Sequence, residues 1–143
     1  MNIFLNYAYF LSFFFFAGCG GSYTTLNYGK TTKSDLIAQK GDPVEEVIIP
    51  EHEGRVLVYP NNNKFQIKSN IVTYGFKDPV GDEKNLIYWK HKFKNCQTSI
   101  NKISEPVSHE LPEFELKCPS MGMSVIFREG SEFISRIIEY EKE

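Results

Sequence analysis

Residues 64–76 read KFQIKSNIVTYGF, two short runs rich in β-branched and aromatic side chains that meet at Ser69-Asn70. Runs of this kind on either side of a two-residue turn predict an antiparallel hairpin, Lys64 to Lys68 against Ile71 to Phe76. Side chains alternate across a strand, so Phe65 and Ile67 share one face. The same reading extends in both directions. Upstream, Val44 to Ile49 and Arg55 to Tyr59 flank Pro50-Glu51-His52-Glu53-Gly54, a polar connection of hairpin length. Downstream, Lys77 to Asp82 interrupts the pattern and Leu86 to Phe93 resumes it as a strand. Phe114 to Cys118 follows a Ser- and Pro-bearing loop, and Met123 to Phe127 with Phe133 to Tyr140 make a last hairpin around Glu129-Gly130-Ser131.

One segment reads differently. Thr31 to Pro43 (TTKSDLIAQKGDP) carries both ends of a two-turn helix. Thr32 suits the N-cap, Asp35 lies near the positive end of the dipole, Gly41 fits the left-handed position after the last turn, and Pro43 blocks continuation. So short a helix needs a larger surface to lean on. The expectation is an α+β fold: one short helix packed on an antiparallel sheet of six or seven strands. Val56 to Tyr59 and Leu86 to Trp89, each followed by a hairpin, make a faint internal echo; the second lacks a helix signature and is not read as a duplication.

The front of the chain is a separate object, since the first charge is Lys30 while six of the twelve phenylalanines precede Ala17. Ala8 to Ala17 is an apolar run of about ten residues, the length of a signal-peptide core and short for a membrane span of roughly 20. It ends in Phe16-Ala17-Gly18-Cys19, which resembles the lipobox of bacterial lipoproteins, where small residues precede a cysteine that is acylated before the signal peptidase cuts. The expected organisation is a cleaved signal peptide (1–18), a tether rich in small and polar residues (19–27) and a single domain (28–143). Acyl chains on Cys19 would hold the protein on the membrane. No Asp follows Cys19, which in the enteric pattern implies the outer membrane, facing the periplasm. The alternative, an uncleaved N-terminal helix with a free Cys19, also takes the domain out of the cytoplasm.

In an exported chain Cys96 and Cys118 form an even pair in a compartment that permits disulfides, so they are read as bonded. Closing that loop would contribute roughly 3 kcal/mol. A metal centre would need ligands at tight spacings, and His52, His91 and His109 lie scattered, so neither metal nor cofactor is expected. A net charge of −2 gives no field to draw in nucleic acid.

Gly29-Lys30-Thr31-Thr32-Lys33-Ser34-Asp35-Leu36, ending in Lys40-Gly41-Asp42-Pro43 and followed by Val58-Tyr59 and the Phe65 to Tyr74 hairpin, resembles the SmpA/OmlA (BamE-like) lipoprotein family. That family has a G-x-T-x-x-acid-aliphatic helix ending in G-x-P and followed by a three-stranded sheet. The resemblance spans about residues 29 to 76; a first helix is lacking, and the strand-rich second half with its cysteine pair departs from the pattern. It implies a small periplasmic α+β module that binds other envelope proteins without catalysis.

No catalytic set stands out. Ser120 lacks the flanking glycines of a nucleophile elbow and reads as a turn beside the disulfide. Glu45 and Glu46 would point to opposite faces of a strand, and Glu51-His52-Glu53 reads as a solvated hairpin tip. In Tyr88 to Lys94 a strand would send Lys90, Lys92 and Lys94 to one face and Trp89, His91 and Phe93 to the other. That stripe is the candidate contact with a partner, lipid headgroups or an anionic polymer; otherwise it is a solvated sheet face or a cross-strand match for Glu139, Glu141 and Glu143. The functional expectation is a lipid-anchored, non-enzymatic scaffold or modulator of a membrane-protein complex. The alternative is a lipoprotein that binds a small ligand, glycan or enzyme on its sheet face.

Overall fold

Thr32 closes a capping box: its hydroxyl accepts from the Asp35 amide at 3.1 Å, and the Asp35 carboxylate accepts from the Thr32 amide, also at 3.1 Å. From that cap runs α1 (Lys33–Lys40), stopped by Gly41, whose φ of 82° is positive as expected but whose ψ of −173° lies outside the left-handed helical region. The computed structural model describes residues 26–50, 54–103 and 111–143. The apolar run, Cys19 and most of the tether lie outside the described residues, as do Glu51-His52-Glu53 and His109.

The strands are β1 (Glu45–Ile49), β2 (Gly54–Tyr59), β3 (Asn63–Lys68), β4 (Ile71–Lys77), β5 (Ser99–Lys102), β6 (Glu113–Cys118), β7 (Met123–Arg128) and β8 (Ile134–Tyr140). Between β4 and β5 lies a second helix, α2 (Leu86–Lys92). The expected fold is corrected here: the sheet has eight strands and carries two helices, where one helix and six or seven strands were anticipated. Leu86 to Phe93 is the segment read wrongly. Leu86, Trp89 and Phe93 are all buried, a three- and four-residue spacing that only a helix puts on one side. β5, whose four residues are all exposed, offered no apolar alternation to recognise.

The strand order is β1-β2-β3-β4-β8-β7-β6-β5. It is two four-stranded meanders, each preceded by its helix, joined where β4 pairs antiparallel with β8. The repeat extends to details. The residue before each helix forms a bridge to the start of the meander's last strand, Thr32 with Ile71 and Asn85 with Phe133. The amides of Lys33 and Leu86 donate to the carbonyls of Asn70 and Glu132, at 2.9 and 2.8 Å. Each last strand bulges at a hydroxyl residue. Thr73 donates to the Gln66 carbonyl at 3.2 Å, and Ser135 donates to the Ile126 carbonyl at 3.1 Å.

Residues opposite one another across a sheet point to the same side, so the register shows which face each helix covers. Leu57, Phe65, Gly75, Glu139, Met123 and Cys118 stand opposite in succession. Leu36 of α1 packs with Leu57, Phe65, Ile67 and Val72 at one end of this face. Leu86, Trp89 and Phe93 of α2 pack with Leu116, Cys118, Val125 and Ile137 at the other. Both helices therefore cover one face. The two cores meet at a polar joint where the Tyr28 hydroxyl, over Gly75, donates to Glu139 at 2.7 Å, and Lys77 reaches Glu139 at 3.3 Å and Glu83 at 3.7 Å.

Candidate binding face

The other side of the sheet begins with the row Val58, Lys64, Phe76, Ile138, Ser124, Lys117 and Ser99, read through the same pairings. The next row brings Val56, Gln66, Tyr74 and Tyr140 side by side. No helix of the described residues belongs to the cores on this side. Its centre is aromatic. Tyr74 is 43% exposed and stacks on Phe76 at 6.3 Å between ring centres, with the Tyr140 ring also 6.3 Å away.

The bulges create this face. Strict alternation would put Val72, Tyr74 and Phe76 on one side, where all three would compete for the α1 core. The extra residue at Thr73 lets Val72 face Leu36 and reverses Tyr74 and Phe76 toward solvent. Ser135 does the same for Ile134, within the α2 core, against Arg136, Ile138 and Tyr140 on the open side.

Charge on the face is unevenly answered. Lys117 lies 4.9 Å from the Tyr140 ring centre and 3.4 Å from Glu143. Glu115 accepts a 2.6 Å hydrogen bond from Ser124. Burial, then Glu115 and Glu143, push the Tyr140 phenol up to about 12. An open hollow of about 680 Å³ lies over Tyr74, Phe76 and Tyr140. A second, of about 220 Å³, lies between Phe76, Lys64 and Arg136.

The lysines singled out in the sequence stand elsewhere. The alternating stripe is not formed: Lys90 and Lys92 are on α2, and Lys94 follows its end. Lys92 folds back over the Trp89 ring at 4.5 Å and the Tyr88 ring at 5.6 Å. Glu139 takes Lys77 and Tyr28 instead of a lysine of that stripe. Cys96 and Cys118 are brought together as a disulfide, with Cα atoms 5.8 Å apart. Ser120 sits against it, its hydroxyl 3.1 Å from the Cys96 sulfur. Glu46, read only as one of two opposed acids, holds Lys33 at 2.8 Å and Arg55 at 2.7 Å; these hydrogen bonds lower its pKa.

Among the described residues no cluster of three or more His, Cys, Asp or Glu is placed to hold a metal ion, and no helix is long and apolar enough to cross a membrane. A scan against protein-family models, a search of curated proteins and a search of solved structures find no match.

Proposed function

We propose that this chain is an exported lipoprotein, anchored through Cys19, which holds a partner protein of the cell envelope on its open sheet face and catalyses no reaction. The observation that carries the reading is the aromatic centre of that face, an exposed Tyr74 stacked on the half-buried Phe76 with the buried Tyr140 alongside. Aromatic side chains rimmed by charge are the usual anchors of protein interfaces, whereas a small ligand is held in a cleft that encloses most of its surface. This hollow is open to solvent across the sheet. The apolar run before Phe16-Ala17-Gly18-Cys19 supports the anchor. The SmpA/OmlA resemblance of residues 29 to 76 supports a scaffolding role in the outer membrane. The second half, outside that resemblance, repeats the helix-and-four-strand order.

The test is recovery of envelope proteins with the full chain from its native membrane, beside Tyr74→Ser combined with Phe76→Ser and, separately, Cys19→Ser. The Tyr74/Phe76 variant should lose the co-purified protein while keeping metabolic labelling by an alkyne fatty acid. Cys19→Ser should lose that label. Unchanged recovery with the Tyr74/Phe76 pair would remove the face from the proposal, and equal labelling of Cys19→Ser would remove the anchor.

A further inference from the structure

Two cations beside Phe76 on the open face find no ion-pair partner among the described residues. Lys64 and Arg136 flank Phe76 and line one hollow with it. Among the described residues neither makes an ion pair, although Lys77 beside them reaches Glu83 and Glu139; Asp78, the one carboxylate lining the same hollow, accepts from the Asn62 amide at 3.0 Å. Opposite charges facing one another on adjacent strands stabilise a sheet. Here the residues opposite Lys64 are Val58 and Phe76, and the residue opposite Arg136 on β7 is Ile126. Glu45, the carboxylate in the row of Lys64, stands two strands away, about 10 Å at the spacing of a sheet. At the Tyr140 end, by contrast, Lys117 has Glu143 and Glu115 has Ser124.

Resting on the reading of this face as a protein-binding surface, we infer that the Phe76 hollow takes an acidic, extended segment of the partner protein. One apolar side chain of that segment packs on Phe76 and Val56. Its flanking carboxylates meet Lys64 and the Arg136 guanidinium, whose planar fork donates two parallel hydrogen bonds to a carboxylate. The apolar floor favours a peptide over a phosphate headgroup, because a headgroup would use the two cations and leave Phe76 uncovered.

The experiment uses the full chain in its native cells, with Tyr74→p-benzoylphenylalanine as photocrosslinker and the partner peptide of each adduct mapped by mass spectrometry. It is repeated with Lys64→Glu and Arg136→Glu together, and with the milder pair Lys64→Gln and Arg136→Gln in case the reversal impairs folding. The mapped peptide should carry Asp or Glu beside an apolar residue. Adduct yield should fall about tenfold or more on reversal and by less on neutralisation, as expected for charges that steer and hold a complementary segment. A mapped peptide without carboxylates, or a yield indifferent to both pairs, overturns the inference and leaves the face a protein-binding surface. An adduct with a phospholipid or polymer in place of protein overturns both.

Discussion

At the scale of single residues, Gly75 and Tyr28 decide how the two cores are joined. A Cβ on Gly75 would collide with the Tyr28 hydroxyl, which is held over the strand by its bond to Glu139. Gly75→Ala should therefore cost about 1 to 3 kcal/mol, the range for overpacking, in urea unfolding. In a Tyr28→Ala background the same change should cost distinctly less, because the two residues are in contact. An equal cost in both backgrounds would place the strain elsewhere. The Tyr28 phenol is also a source of pH dependence. Burial first, then Glu139, push its pKa well above the ordinary value of 10.0. The folded chain thus keeps a proton that the unfolded chain gives up near that value, so this contribution is fully present below pH 10 and is lost as the pH rises beyond it. Tyr59 and Tyr140 shift in the same direction, so the measurement is a difference. The thermal midpoint should fall above pH 10, and fall less steeply for Tyr28→Phe.

At the scale of elements, α1 was legible and α2 was not, for reasons that lie in their ends. Thr32, Asp35 and Gly41 mark α1 by capping chemistry visible in sequence. Asn85 makes no side-chain capping bond, and the run Ile87-Tyr88-Trp89 has the composition of a strand. What holds α2 is tertiary: Trp89 is fully buried and its indole donates to the Glu83 carbonyl at 2.7 Å. The hairpins were legible because turn residues and alternation agree, yet the bulges at Thr73 and Ser135 were not, since a hydroxyl residue in a strand carries no mark of an extra position. The face that carries Tyr74 and Phe76 was therefore hidden. Each unit also clasps the end of its second strand to the chain following its helix. In the first, the Tyr59 hydroxyl donates to the Gly41 carbonyl at 3.1 Å; in the second, Cys118 is bonded to Cys96. The covalent clasp constrains the unfolded chain as well. Its reduction should cost about 3 kcal/mol, against about 1 kcal/mol for Tyr59→Phe, which loses one hydrogen bond. Chemical denaturation of oxidised and reduced protein checks both, and equal effects would contradict the comparison.

At the scale of the whole molecule, the pairing of β4 with β8 turns two modest units into one surface. Each helix protects its own half of the core, and the opposite side is left continuous across the joint, with Tyr74 opposite Tyr140 and Phe76 opposite Ile138. Pairing between strands so far apart in the chain leaves no local trace, which is why the doubled sheet was not legible while most of its strands were. Exposed apolar side chains also occur on the helix side, Ile87 of α2 at 66%, so a rival surface exists. The most direct measurement compares the two sides in living cells, with the photocrosslinker placed either at Tyr74 or at Ile87 of the full chain. The account predicts a discrete protein adduct from Tyr74 and none from Ile87. An adduct from Ile87 with none from Tyr74 would contradict it and move the binding surface to the helices.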